Sequence, residues 1–485
     1  MSNTNSAQII FLDSNSKTDF DTELKELQFK PKFGKTIFFA ESRILFVGTE
    51  YKSKSSTIDP FAKPDYYALG AIAGNQVKEY EITDLKIDSF VTFSKKELEL
   101  IILGIMQSGV DFDKYLTEKT SCKFEIYLSE RMSDIVDKAS YKYINSLNKG
   151  ITLTRYLVDE TPQAINPSTM PAMIDVELDS PQISIVKYPM SELEKMGMDG
   201  IVAVGKGSIH KPVMVHTVLK PAGEVKRKIA LVGKGLTYDS GGYDIKTGGH
   251  MKGMKCDMAG SATMFGVIKT LMNLDLQSTE IHWISAFAEN MIDGNAYKAD
   301  DILTTYSGLT VEVDNTDAEG RLTLADVLTF ATTIDPDYII DAATLTGACM
   351  AALGHETTGL MSNNEELKNK LMTVFENENE PTWWVNMPER MRKAVKGDIS
   401  DLMNTSNMER QCGHATAGLF LSHFVDQNLF RNEKLKTESP KIYPWIHLDI
   451  AGSAYNEKTN SLKVSGATGQ SVRSLVNWIL SEDSN

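Results

Sequence analysis

Hydrophobic and polar positions recur along the chain with two different periods, and the changes of period mark out its elements. Residues 36–47 and 123–128 form β-like apolar runs, while residues 95–106 carry their apolar side chains on one face at helical spacing. This first stretch predicts a small α/β domain. A polar helical stretch over residues 133–157 follows and ends at Thr161-Pro162 and Asn166-Pro167, where proline stops a helix. The domain boundary is placed in that stretch, giving domains over 1–150 and 151–485. Beyond it, residues 200–204, 228–232, 281–288 and 338–343 read as strands, and 262–272 and 323–332 as helices. Such alternation predicts a larger C-terminal α/β domain, its mixed sheet covered by helices on both faces. In open α/β sheets ligands sit at the carboxyl ends of strands. Lys234 and Asp239 follow the strand expected to end near Val232, and residues 344–347 follow the one ending near Ala343.

Composition narrows the class of protein. At 485 residues the chain exceeds what one core usually supports, in line with two domains. Lys plus Arg number 50 against 65 Asp plus Glu, a net charge of −15, and this acidic balance argues against nonspecific binding to nucleic acid or anionic membranes. Residues 1–17 are polar and lack the pattern of a signal peptide, and no apolar run approaches the roughly 18 residues of a membrane span. Cys122, Cys256, Cys349 and Cys412 are widely spaced and form no metal or redox pair. A reducing cytoplasm is the simplest compartment.

The chemistry concentrates in two clusters. Residues 315–322, Asn-Thr-Asp-Ala-Glu-Gly-Arg-Leu, place Asp317, Glu319 and Arg321 at every second position. If the β-like run at 311–315 continued, the three would project together, and two acids so close repel unless a cation sits between them. Upstream lie Lys234, Asp239 and Asp257, within Val-Gly-Lys-Gly (232–235), Asp-Ser-Gly-Gly (239–242) and Met-Lys-Cys-Asp-Met (254–258), with Lys246 between the last two. Hard oxygen ligands of this kind suit Mg²⁺, Mn²⁺ or Zn²⁺. Four carboxylates exceed what one catalytic zinc uses, so two metals fit better than one, bridged at a separation of roughly 3.5–4 Å where both polarise a scissile carbonyl.

On these motifs the chain resembles the leucyl aminopeptidases, dimetal exopeptidases whose signature residues 315–322 match letter for letter. The upstream elements also match, and Asp341-Ala-Ala-Thr-Leu-Thr-Gly-Ala348 and His447-Leu-Asp-Ile-Ala-Gly452 look like two further family segments. The likeness runs from about residue 150 to the C-terminus. It implies a tightly held metal site of Lys234, Asp239, Asp257 and Glu319, and a more exchangeable one of Asp239, Asp317 and Glu319, with Asp239 and Glu319 bridging. Lys234 would have to be neutral, at a cost of roughly 4–5 kcal/mol from its reference pKa of about 10.4, offset only by the metal bond. Lys246 would stay charged and stabilise the oxyanion, and Arg321 would hold a bicarbonate ion that serves as general base. Met251 and Met254 fall where the family lines its pocket for the first side chain, which implies tolerance for apolar residues such as Leu or Met. Thr344, Leu345 and Gly347 lie where backbone contacts the peptide. A homohexamer with the C-terminal domains at its centre and a cytoplasmic location are further implications. Some relatives double as nucleic-acid-binding regulators, a role the acidic charge disfavours; a scaffold with a decayed site is disfavoured by the complete ligand set.

Plainer readings stand beside these. Met251 and Met254, three apart, could equally form the core face of a helix, and Arg321 could pair with Glu319 as a structural salt bridge. Thr247 departs from the family's usual proline, and Tyr243 and Asp244 stand where smaller or apolar residues are common, altering the expected pocket rim. His355-Glu356 lacks the second histidine of a helical zinc motif. Gly34-Lys35-Thr36 has Phe29 where a phosphate loop needs its first glycine. Gly205-Lys-Gly207 and Gly233-Lys-Gly235 lack the third glycine of a dinucleotide fingerprint, and Ser240 has Tyr238 where a nucleophile elbow needs glycine.

Overall fold

A computed structural model describes residues 5–51, 63–408, 411–456 and 466–484. The chain divides into two compact units, one over Met1–Thr152 and the other over Leu153–Glu457 with Ser465–Asn485, the division falling inside the helix Lys138–Asp159.

The first unit is built on a five-stranded sheet in the order Thr36–Phe39, Ile44–Gly48, Ser6–Leu12, Asp84–Ser89, Glu125–Leu128, antiparallel only at its first pair. The β-like run expected over residues 36–47 is thus a hairpin, reversed where Arg43 takes φ 54°. Helix Lys95–Ser108 starts at a capping box, with Ser94 and Glu97 each satisfying the other's backbone N–H, and packs against helix Tyr66–Lys78.

The second unit holds an eight-stranded mixed sheet. Its order is Thr382–Trp384, Thr358–Ser362, Trp445–Asp449, Tyr338–Ala343, Arg227–Asp239, Thr279–Asn290, Val213–Leu219, Ile183–Pro189. The four strands from Trp445–Asp449 to Thr279–Asn290 run parallel, so their carboxyl ends open on one edge. One face packs on helix Gly320–Thr332: Ala230, Val232, Ile284 and Ile339 share a core with its Leu322, Ala325 and Leu328. Gly233 and Ala342, one residue out of phase, face the opposite way, where helix Ala259–Leu271 lies so close that a side chain on Gly260 would meet the Ala342 carbonyl at 2.0 Å.

Two expectations need correction. Residues 200–204 are not a strand but part of helix Asp199–Gly205. A five-residue apolar run carries no periodicity that separates the two states; here the Asp326 carboxylate accepts the Ile201 N–H at 3.0 Å, and the bare Cα of Gly200 lets the helix close on the Leu322 carbonyl. The strand expected to stop near Val232 continues to Asp239, pairing with Thr279–Asn290 to its end.

Candidate metal centre

That longer strand explains how Lys234 and Asp239 meet. Five residues apart on a regular strand, they would face opposite sides of the sheet. The register slips between Leu236 and Tyr238, a bulge that changes the phase and turns both side chains to the same place. Asp257 comes from the 3₁₀ helix Met254–Met258, and Glu319 immediately precedes helix Gly320–Thr332. Acceptor oxygens of Asp239, Asp257 and Glu319 lie within 4.8 Å of one another. All three are buried, at 2%, 4% and 1% exposure, and so is Lys234 at 4%.

The signature segment reaches this cage differently from the alternation read in the sequence. Residues 316–319 turn rather than extend. Asn315 Oδ1 accepts the Asp317 N–H at 2.7 Å, closing an Asx turn, and buried Asn404 accepts the N–H groups of Asp314 and Asn315 while donating to the Asn315 carbonyl. Glu319 therefore points into the cage from a helix start, Asp317 sits at its rim with a side chain 33% exposed, and Arg321 lies a half-turn further on. Gly320 is essential to the fit: a Cβ there would fall 2.4 Å from Lys234 Cε and 2.6 Å from its Nζ.

Two ammonium groups balance the acids. Lys234 Nζ lies 2.8 Å from Asp257 and 3.0 Å from Glu319, and also donates to the Thr344 carbonyl at 3.1 Å. Lys246 Nζ lies 2.8 Å from Asp239 and 2.5 Å from Asp317. Burial works against the charge on both lysines, but the surrounding carboxylates outweigh it and raise their pKa values. Burial first, and then mutual repulsion with Asp239, holds the Glu319 and Asp257 carboxyls above the usual range; burial raises Asp317 as well. Asp257 Oδ2 and Glu319 Oε2 are buried and accept no hydrogen bond. Unmet buried acceptors are costly, and an oxygen-ligated divalent cation is the partner this donor set fits.

Arg321 is not the structural partner of Glu319: among the described residues it forms no ion pair, and its Nε is buried without a hydrogen bond. Burial lowers its pKa to about 10, against the pull of Glu319 and Asp449. Thr344 Oγ1 donates to Asp257 at 2.8 Å, the Leu345 N–H donates to Asp449 at 3.3 Å, and Gly347 opens the exposed start of helix Gly347–Leu353 with free space around it. Met254 stands three residues before Asp257 on one 3₁₀ turn, where i and i+3 side chains eclipse; Met251 lies in the preceding turn. Both methionines are half-buried rather than core.

Several residues at the centre went unread in the sequence. Asp244 does not simply edge a pocket, because its carboxylate accepts the Thr316 N–H at 2.8 Å and its own N–H donates to Thr316 Oγ1 at 2.8 Å. Asn290 and Tyr297 also grip Thr316, from outside every quoted motif. Buried Asp341 accepts from Trp445 Nε1 and His447 Nδ1, each at 2.6 Å, His447 being its direct partner on the neighbouring strand and Trp445 lying two positions along it. Asp341 and His447 each open a quoted motif segment, but only the strand register brings them into contact.

Residues 152–476 match the model of the cytosol aminopeptidase family, catalytic domain. A probable cytosol aminopeptidase of Clostridium tetani (strain Massachusetts / E88) is 36% identical over 472 residues, covering 94% of this chain and 92% of its own. One from Aquifex aeolicus (strain VF5) is 37% identical over 393 residues, covering 81% of this chain and 76% of its own. The solved structure of the bottromycin maturation enzyme BotP in complex with Mn superimposes with a TM-score of 0.84 over 99% of this chain and 100% of that one, at 24% identity, a likeness of fold.

Proposed function

The chain belongs to the cytosol aminopeptidase family, a family of metal-dependent hydrolases of peptides, and on that premise we propose that its acid-and-lysine cage holds two divalent cations that serve the removal of N-terminal residues. The observation that carries this reading is the buried trio Asp239, Asp257 and Glu319 with two carboxylate oxygens left unmet. Lys234, Asp239, Asp257 and Glu319 make the inner site, and Asp239, Asp317 and Glu319 the outer. When bound, the cations supply Lewis acidity and lower the pKa of water. The outer site would add the Asp317 backbone carbonyl to its carboxylates, and such oxygen ligands accept Zn²⁺, Mn²⁺ and Mg²⁺ alike. BotP was solved with Mn.

The side chains divide the remaining work. Lys246, paired with Asp239 and Asp317 at the rim of the cage, would keep its charge to stabilise the oxyanion that forms as the peptide carbonyl is attacked. Arg321, buried with an unmet Nε, would hold a bicarbonate ion, which would supply a proton acceptor. Met251 and Met254 give the first side chain a soft apolar surface, favouring Leu or Met, and Thr344, Leu345 and Gly347 present backbone to the peptide. Asp239, Asp317 and Glu319 would hold the cation of the outer site, which would supply recognition of the free N-terminal amine that an exopeptidase requires. A cytoplasmic homohexamer completes the proposal. No helix among the described residues is long and apolar enough to cross a membrane.

A hydrolysis panel over aminoacyl p-nitroanilides, after chelation and re-addition of each metal, tests the reading; turnover unaffected by chelation contradicts it. Arg321→Ala is expected to lower kcat by about 10²-fold, the size of effect a positioned acid or base contributes, with metal content nearly unchanged. Equal metal loss in that variant counts against Arg321 as the bicarbonate holder.

A further inference from the structure

The residues assigned to the metals arrive on separate pieces of chain, and one side chain outside all of them touches two of those pieces. We propose that Asn290 is a positioning residue that sets the orientation of Asp239 and locks it to the signature turn; the inference rests on the two-metal reading above. Asn290 ends the strand Thr279–Asn290, directly paired with Asp239, and is fully buried. Its Nδ2 donates to Asp239 Oδ1 at 2.9 Å and to the Thr316 carbonyl at 3.0 Å. Both neighbours are acceptors, which fixes which end of the amide faces them. Its backbone carbonyl in turn accepts from Ser240 N–H at 3.1 Å and Ser240 Oγ at 2.7 Å, so the residue after Asp239 is tied to the same strand end.

The consequence for Asp239 is an assignment of its two oxygens. Oδ1 accepts from Asn290 and, at 2.9 Å, from the Gly241 N–H, and two donors take up its hydrogen-bonding capacity. Oδ2 faces Lys246 at 2.8 Å and is the oxygen left for a cation. An amide suits this position because it donates without adding charge, whereas a carboxylate there would repel Asp239 and a cation would compete for the acids. Tyr297 separates the two halves of the role. Its hydroxyl donates to the same Thr316 carbonyl at 2.6 Å, while no hydrogen bond joins it to Asp239 among the described residues.

Chelator-stripped protein titrated with Mn²⁺ in a calorimeter, alongside thermal unfolding of the metal-free forms, tests this. Asn290→Asp and Asn290→Ser are expected to bind Mn²⁺ about 10–100-fold more weakly, the usual loss when an outer partner of a ligand is removed, while Tyr297→Phe keeps the wild-type affinity. Asn290→Ser, small and uncharged, supplies the measurement if the charged variant does not fold. A purely structural role lowers the melting temperature of the metal-free protein and leaves the affinity alone. That result, or equal weakening in Tyr297→Phe, overturns the inference with the two-metal reading intact. A wild-type protein that takes up no Mn²⁺ overturns both.

Discussion

Glu319→Gln is expected to lower turnover by at least about a thousandfold, the several kcal/mol that a cation's charge stabilisation supplies. Glu319 is the side chain shared by both proposed metals, and its Oε2 is buried with no other partner. The amide matches the carboxylate in shape but offers one neutral acceptor, so both cations lose a ligand at once. The metal-free protein should tolerate the change. It relieves repulsion with Asp239 and Asp257, which together with burial already favours the protonated carboxyl, and Lys234 keeps its 2.8 Å contact with Asp257. Activity, metal content by elemental analysis and the metal-free melting temperature separate the effects. A variant that is inactive and unfolded assigns Glu319 to architecture, and one retaining metal and turnover removes it from the centre.

Lys234→Met carries the second large effect, and here the loss falls on the metal-free form. The ammonium sits between Asp257 and Glu319 in a site 4% exposed, and removing one member of a buried ion pair leaves uncompensated charge at a cost of about 3–5 kcal/mol. The apolar chain fills the channel past Gly320 but neutralises nothing. Urea unfolding of the stripped variant should show this loss, and saturating Mn²⁺ should recover part of it, since a ligand bound only by the folded state stabilises that state. The same instability with and without Mn²⁺ would show that the lysine's charge matters to folding alone.

Much of the centre was legible because its chemistry is local in sequence. Asp317, Glu319 and Arg321 fall within five positions, and the acids announce a cation by their density. The geometry that unites them was less legible. Lys234 and Asp239 meet only through a bulge at Leu236/Tyr238, and no residue pattern in that segment marks the slip. The every-second-position argument placed Asp317, Glu319 and Arg321 on one face of a strand, whereas a turn held by Asn315 and the distant Asn404 stands there instead. The long helix Lys95–Ser108 followed from periodicity, because its length averages over local ambiguity. The short apolar run at 200–204 did not, its helix depending on Asp326 more than a hundred residues away. Asn290 was invisible for the same reason: an asparagine ending a strand signals nothing until the opposing strand is placed beside it.

Metal stoichiometry measured together with turnover tests the central claim most directly. Chelated protein titrated with Mn²⁺ or Zn²⁺ should take up two ions per chain, and hydrolysis of leucine p-nitroanilide should return as they bind. Full turnover from folded protein that elemental analysis finds free of divalent cations would contradict the account.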